Sequence, residues 1–190
     1  MELSGTEIPR HRKVARGTRS YTVMDAERII EILGLTPHPT EGGYFVETYR
    51  SDETIPRGVL PARYPSDKAF STAIYYLLEP ATFSAMHRLA SDEVYHFYLG
   101  DAVEMLLLHP DGSHRIVNLG TDLEAGQRPQ VMVPRGVWQG SRLVPGGAYA
   151  LMGTTVAPGF DYPDYEHGER AALVSHYPEC ATLIKELTRG

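Results

Sequence analysis

The side chains best placed to do chemistry lie in His87-Arg88-Leu89-Ala90-Ser91-Asp92-Glu93-Val94-Tyr95-His96-Phe97-Tyr98-Leu99-Gly100, read with Pro134-Arg135-Gly136-Val137-Trp138-Gln139 downstream. A neutral imidazole titrates near pH 6.5, which suits His87 to abstract a proton close to neutrality. Glu93 or Asp161 could orient it. His87 and Glu93 could equally hold one divalent first-row ion, with Gln139 as a weak oxygen donor. Tyr44, Tyr75, Tyr95 and Tyr149 are candidate acids, and that abundance leaves the acid unassigned. Arg50, Arg88 and Arg128 offer bidentate anion recognition, and Trp138 and Phe160 offer flat apolar surface. Strand alternation puts Glu93, Tyr95 and Phe97 on one face and Val94, His96 and Tyr98 on the other. His96 would join Glu93 only through a bulge.

These groups need a scaffold that gathers strands. From Ser71 to Val156 the chain reads as short strands near 71–78, 82–87, 93–99, 102–108, 113–118, 130–134, 139–144 and 148–156. The breaks between them are turn chemistry: Glu79-Pro80, Gly100-Asp101, Asp111-Gly112, Pro134-Arg135-Gly136 and Pro145-Gly146-Gly147. Asp-Gly between apolar runs marks a hairpin. This spacing predicts an all-β sandwich or jelly roll. Asp25 followed by apolar positions 26, 29, 30 and 33 and closed by Gly34 predicts a helix. Tyr44 to Tyr49 predicts a further strand, 51–68 a long surface loop, and two short helices follow near 168–174 and 178–188. The expected organisation is an N-terminal arm over 1–21 and one domain over 22–190.

The chain has 190 residues, net charge −6 and 42% hydrophobic residues, as in a soluble globular protein. The acidic balance disfavours nucleic acid, which needs a basic stripe. No apolar run is long enough to span a membrane. The lone Cys180 excludes an internal disulfide and suits a reducing compartment, so a cytoplasmic location is expected.

His87, Glu93 and Gly100, then Pro134-x-Gly136 and a polar residue at 139, resemble the two motifs of the cupins, which fold as a double-stranded β-helix. Several strings are similar to the branch of unknown function known as the fifth cupin family (RmlC-like). They are His38-Pro39-Thr40-Glu41-Gly42-Gly43-Tyr44-Phe45, Ser71 to Leu78, Ser91 to Tyr98, Gly126 to Gln130 and Ala157-Pro158-Gly159-Phe160-Asp161. The resemblance runs from about residue 25 to 180. It implies a jelly-roll barrel and a homodimer, with no agreed reaction. Metal-binding cupins carry His-x-His, then Glu, then a further His. Here Leu89 and Gln139 stand at two of those positions, leaving His87, Glu93 and Gln139 as the candidate ligands of a divalent ion.

The expected function is a small-molecule pocket of isomerase or epimerase type, acting on a sugar-like or nucleotide-linked metabolite. His87 and Glu93 would be catalytic, and Tyr95, Trp138, Gln139, Arg50 and Asp161 ligand-binding. The alternatives are a non-catalytic binding or sensor protein and a metal-dependent oxygenase.

Overall fold

The computed structural model describes residues 24–189, so the expected arm over 1–21 lies outside the described residues. Helix α1 (Ala26–Leu33) starts where the Asp25 carboxylate accepts the Arg28 N–H at 2.9 Å, and stops where Gly34 turns left-handed at φ 64°. Strands β1 (Thr36–Pro37) and β2 (Tyr44–Arg50) follow, then the short pair β3 (Thr54–Ile55) and β4 (Lys68–Ala69). The body of the fold is β5 (Thr72–Leu78), β6 (Phe83–Leu89), β7 (Asp92–Gly100), β8 (Val103–Leu108), β9 (His114–Leu119), β10 (Gln130–Val133), β11 (Trp138–Leu143) and β12 (Ala150–Ala157). Strand β13 (Tyr165–His167) and helices α2 (Arg170–His176) and α3 (Ala181–Glu186) close the chain.

The strands form a six-stranded sheet, β1-β2-β5-β12-β7-β10, and a five-stranded sheet, β13-β6-β11-β8-β9. All their pairings are antiparallel. Alternation puts Tyr76 and Leu78 of β5, Tyr95 and Phe97 of β7 and Met152 of β12 into one core with Met105 and Leu107 of β8 and Val117 of β9. The two sheets therefore face each other across a shared apolar layer, as in a jelly roll. The outer faces are covered differently. Helix α1 seats Ile29 against Leu77 and Leu151 on the six-stranded sheet. Leu173, Tyr177, Ile184 and Leu187 cover Met86, Leu106 and Leu108 on the five-stranded sheet.

Strands β2 and β5 to β12 and helix α1 stand where their patterns place them, within a residue or two. The segment 51–68 is largely exposed, its prolines included, as a surface loop would be. It is more structured than expected, carrying β3, β4 and a 3-10 turn at Arg57–Val59, and it buries Tyr64 and Lys68 completely. Strand β13, which extends the sheet beside β6, also lies outside the expected strands. It is three residues long, too short to show an alternation.

Candidate functional site

A cavity of about 140 Å³ opens at one end of the jelly roll. Its inner wall holds His38, Glu41, Tyr76, Glu93 and Tyr95, and its rim holds Glu47, Arg50, Phe160, Asp161 and Tyr162. Register explains the inner wall. Glu93 and Tyr95 point inward from β7, and the bulge in that strand falls opposite Leu151/Met152, beyond His96. His96 keeps the outward phase and meets Thr155 Oγ1 at 3.3 Å and the Gln130 amide at 3.3 Å.

Glu41 arrives by a different route. Gly42 and Gly43 have φ +103° and +68°, a region other residues rarely adopt. A Cβ on Gly42 would stand 2.5 Å from Phe83 O, and one on Gly43 2.7 Å from Leu77 O. Only bare backbone fits between these strands. The Ala85 N–H then donates to Glu41 O at 2.9 Å, which holds the Glu41 side chain beside β6.

Four titratable groups converge there. His38 Nδ1 accepts the Glu41 N–H at 3.0 Å, which assigns its proton to Nε2, 3.7 Å from Glu41 Oε1. His87 Nδ1 donates to Ala85 O at 2.8 Å, so its Nε2 lone pair faces the same Glu41 oxygen at 3.8 Å. Tyr165 stacks on the His87 ring with centroids 5.1 Å apart and fixes its plane. The Gln139 amide donates to Glu93 Oε2 at 2.7 Å. Gln139 and His87 are cross-strand partners, so β6 and β11 supply both contacts. Burial pushes the Glu41 and Glu93 carboxyls up. The Glu41 charge raises Glu93 further, against the lowering influence of His87. Burial pushes both His38 and His87 down. The chemistry available is two carboxyls biased toward their protonated form and two imidazoles biased toward their neutral form, grouped around one cavity.

These shifts act on stability with opposite signs. A raised carboxyl contributes stability that is present below its unfolded value of 4.5 and is lost as pH rises through the higher folded value. A lowered imidazole does the reverse, losing stability as pH falls below 6.5. A Glu93→Gln variant removes only the first effect. It is expected to gain stability relative to the parent as pH rises above 4.5, read from urea midpoints. A difference that does not move with pH would contradict the raised carboxyl.

Of the residues singled out from the sequence, Glu93, Tyr95, Arg50 and Asp161 line the cavity. His87 and Gln139 are buried directly behind Glu41 and Glu93 rather than in the wall. Trp138 is separated from the site. It lies on the opposite phase of β11 from Gln139, packs into the cluster under α2 and α3, and carries the Arg88 guanidinium 4.4 Å from its ring. Arg88 is paired with Glu166, and Arg128 is exposed and donates to Gln127 O at 2.8 Å. His38 and Glu41 were not selected from the sequence. Their signal is a carboxylate immediately before two consecutive glycines that lead into a strand.

A family model described as Cupin superfamily (DUF985) matches residues 27–168. The chain belongs to this cupin family. An uncharacterized protein of Saccharomyces cerevisiae, YML079W, is 32% identical over 133 residues, covering 66% of this chain and 66% of the yeast protein. The chain therefore spans just under two thirds of that relative's length. Protein SO0799 from Shewanella oneidensis has a crystal structure that aligns with TM-score 0.77 at 32% identity, covering 87% of this cupin and 98% of that chain. A hypothetical protein from Leishmania major aligns with TM-score 0.78 at 32% identity, over 88% and 100%.

The metal familiar from other cupins does not fit the residues of this one. Leu89 presents a hydrocarbon to the cavity. Gln139 turns its donor nitrogen, not its oxygen, toward Glu93, and the oxygen has no partner. Among the described residues no three His, Cys, Asp or Glu side chains are arranged to hold an ion. No helix among the described residues is long and apolar enough to cross a membrane.

Proposed function

We propose that this cupin is an enzyme of isomerase or epimerase type, moving a proton at the carbon next to the carbonyl of a small sugar-like metabolite. The observation that carries this reading is the pair of buried, raised carboxyls on one cavity wall, backed by two neutral imidazoles. When two carboxyls share a site, one holds a proton while the other is free to take one. The ionised member removes the proton from carbon, and the protonated member gives its proton to the carbonyl oxygen. The resulting enediol is reprotonated on carbon by reversal of these roles. The His87 Nε2 lone pair, 3.8 Å from Glu41 Oε1, acts behind them as a proton relay. Deuterium uptake tests the reaction directly. Common aldoses and ketoses are incubated with the protein in D₂O and followed by proton NMR. Loss of the signal of the C–H next to the carbonyl is expected for at least one sugar. Retention in all of them would sink the reading.

We further propose that the protein works as a homodimer. Beyond α1, the outer face of the six-stranded sheet exposes Tyr49, Tyr98, Leu99 and Met132. Of the charged side chains on this face, Asp92 stands at the end of β7, and the apolar residues across the strands offer a second copy a largely uncharged surface. Light scattering at micromolar concentration is expected to give twice the 21.1 kDa chain mass. A mass of one chain would remove the proposal.

A further inference from the structure

The rim of the cavity carries charge, but that charge is already spoken for. Among the described lining residues, Arg50 is the one Arg or Lys. Its Nε donates to Glu47 Oε1 at 3.1 Å, and one terminal nitrogen donates to Glu47 Oε2 at 2.9 Å and to Phe160 O at 3.0 Å. The other terminal nitrogen donates to Asp161 Oδ1 at 3.3 Å. The guanidinium is thus forked onto one carboxylate and bound to a second. Lys68 lies behind Asp161, fully buried, and is held by Asp161 Oδ2 at 2.9 Å and by Asp164. It does not line the cavity. Arg189 does not line it either, although its guanidinium lies beside Gly42 and its charge is felt at His38 on the inner wall.

Against Arg50 stand four carboxyl groups in the lining: Glu41, Glu47, Glu93 and Asp161. A phosphate or carboxylate on a ligand would find no free cation among the described lining residues. To reach Arg50 it would have to break the fork to Glu47 and sit beside Asp161, and like charges at that range repel. Hydroxyl groups meet the opposite situation. Carboxylate oxygens at the rim can accept hydrogen bonds from them, and Tyr95 adds a phenol to the lining. Phe160 and Tyr162, with ring centroids 5.4 Å apart, offer an apolar edge for the C–H face of a sugar ring. At about 140 Å³ the cavity is also well below the roughly 300–1,000 Å³ that holds a drug-sized ligand.

We propose that the cavity selects an uncharged polyhydroxy carbonyl compound of simple-sugar size and rejects its phosphorylated, carboxylated and nucleotide-linked counterparts. This deepens the isomerase reading and rests on the same site. Its ground is the closed pairing of Arg50 and the excess of carboxyl groups around it.

The experiment is titration calorimetry of the full chain with ribose and fructose, beside their phosphate esters and glucuronate. The neutral sugars are expected to bind at least about tenfold more tightly than the anions. Glu47→Gln removes the carboxylate that forks onto Arg50, leaving Asp161 as its remaining carboxylate partner and two of its nitrogens released from Glu47 to meet an anion. In that variant the preference ratio is expected to fall by about tenfold, as the phosphate esters gain affinity. Anions binding the parent as tightly as the neutral sugars would overturn the proposal, and so would failure of both neutral sugars to bind. An unchanged ratio in Glu47→Gln would overturn its physical basis. Deuterium uptake separates the two readings. A neutral sugar that binds without exchange leaves the selectivity standing and ends the isomerase reading. Exchange of a preferred anion does the reverse.

Discussion

Replacing Glu93 by Gln is expected to cut deuterium exchange roughly a hundred- to ten-thousand-fold, the usual worth of a positioned acid or base. The substitution keeps the shape of the side chain, and the Gln139 amide can still donate to the remaining oxygen as it now does at 2.7 Å. What disappears is the ionisable group on the cavity wall. Exchange that survives intact would move the proton transfer to Glu41. A second variant separates chemistry from packing. The positive charge that His87 carries when protonated lowers the Glu93 carboxyl, so in His87→Gln that carboxyl loses this lowering influence and rises. The limb of the rate profile that reports the ionised base is then expected to move to higher pH. A merely structural His87 would reduce the amount of folded protein without moving the profile.

The largest expected effect on stability is at Lys68. Its Nζ is completely buried, and it neutralises Asp164, whose side chain is 2% exposed, together with the half-exposed Asp161. Lys68→Met leaves the Asp164 carboxylate buried without a counter-charge. The expected cost is about 3–5 kcal/mol in urea unfolding, because a stranded buried charge costs more than the intact pair contributes. The double variant Lys68→Met/Asp164→Leu is expected to recover much of that loss, since both charges are then gone. A single variant that loses under about 1 kcal/mol would show that water reaches Asp164.

The two kinds of residue differ in how visible they are in the chain. Strand periodicity, the Asp111-Gly112 turn and the Asp25 and Gly34 caps act locally, and each is legible from a few neighbouring residues. The inward phase of Glu93 and Tyr95 and the outward phase of His96 follow from the same period-two rule. Glu41 was not legible in that way. Its place depends on two glycines passing close to Phe83 and Leu77, which are distant in sequence. Lys68 sits in a proline-rich stretch that reads as solvated, yet its partners come from the 160s. Trp138 has the composition of a ligand platform, but its strand phase turns it toward the C-terminal helices. In each case a contact between remote segments decides the outcome, and no local pattern encodes it.

Those remote contacts also govern when the cavity comes into being. The rim is closed by Arg50 and Asp161, which lie 111 residues apart, and by Lys68 and Asp161, 93 apart. Contacts of such long range form late, because the intervening chain must be ordered first. During synthesis the inner wall begins with residues near 38–45, but its opposite side waits for β12 and the loop that follows it. A nascent chain that lacks its last segments has the acid–base residues without an enclosure around them. The ligand, on this reasoning, meets its site only after the whole barrel has closed, and its binding energy is added to the final state alone.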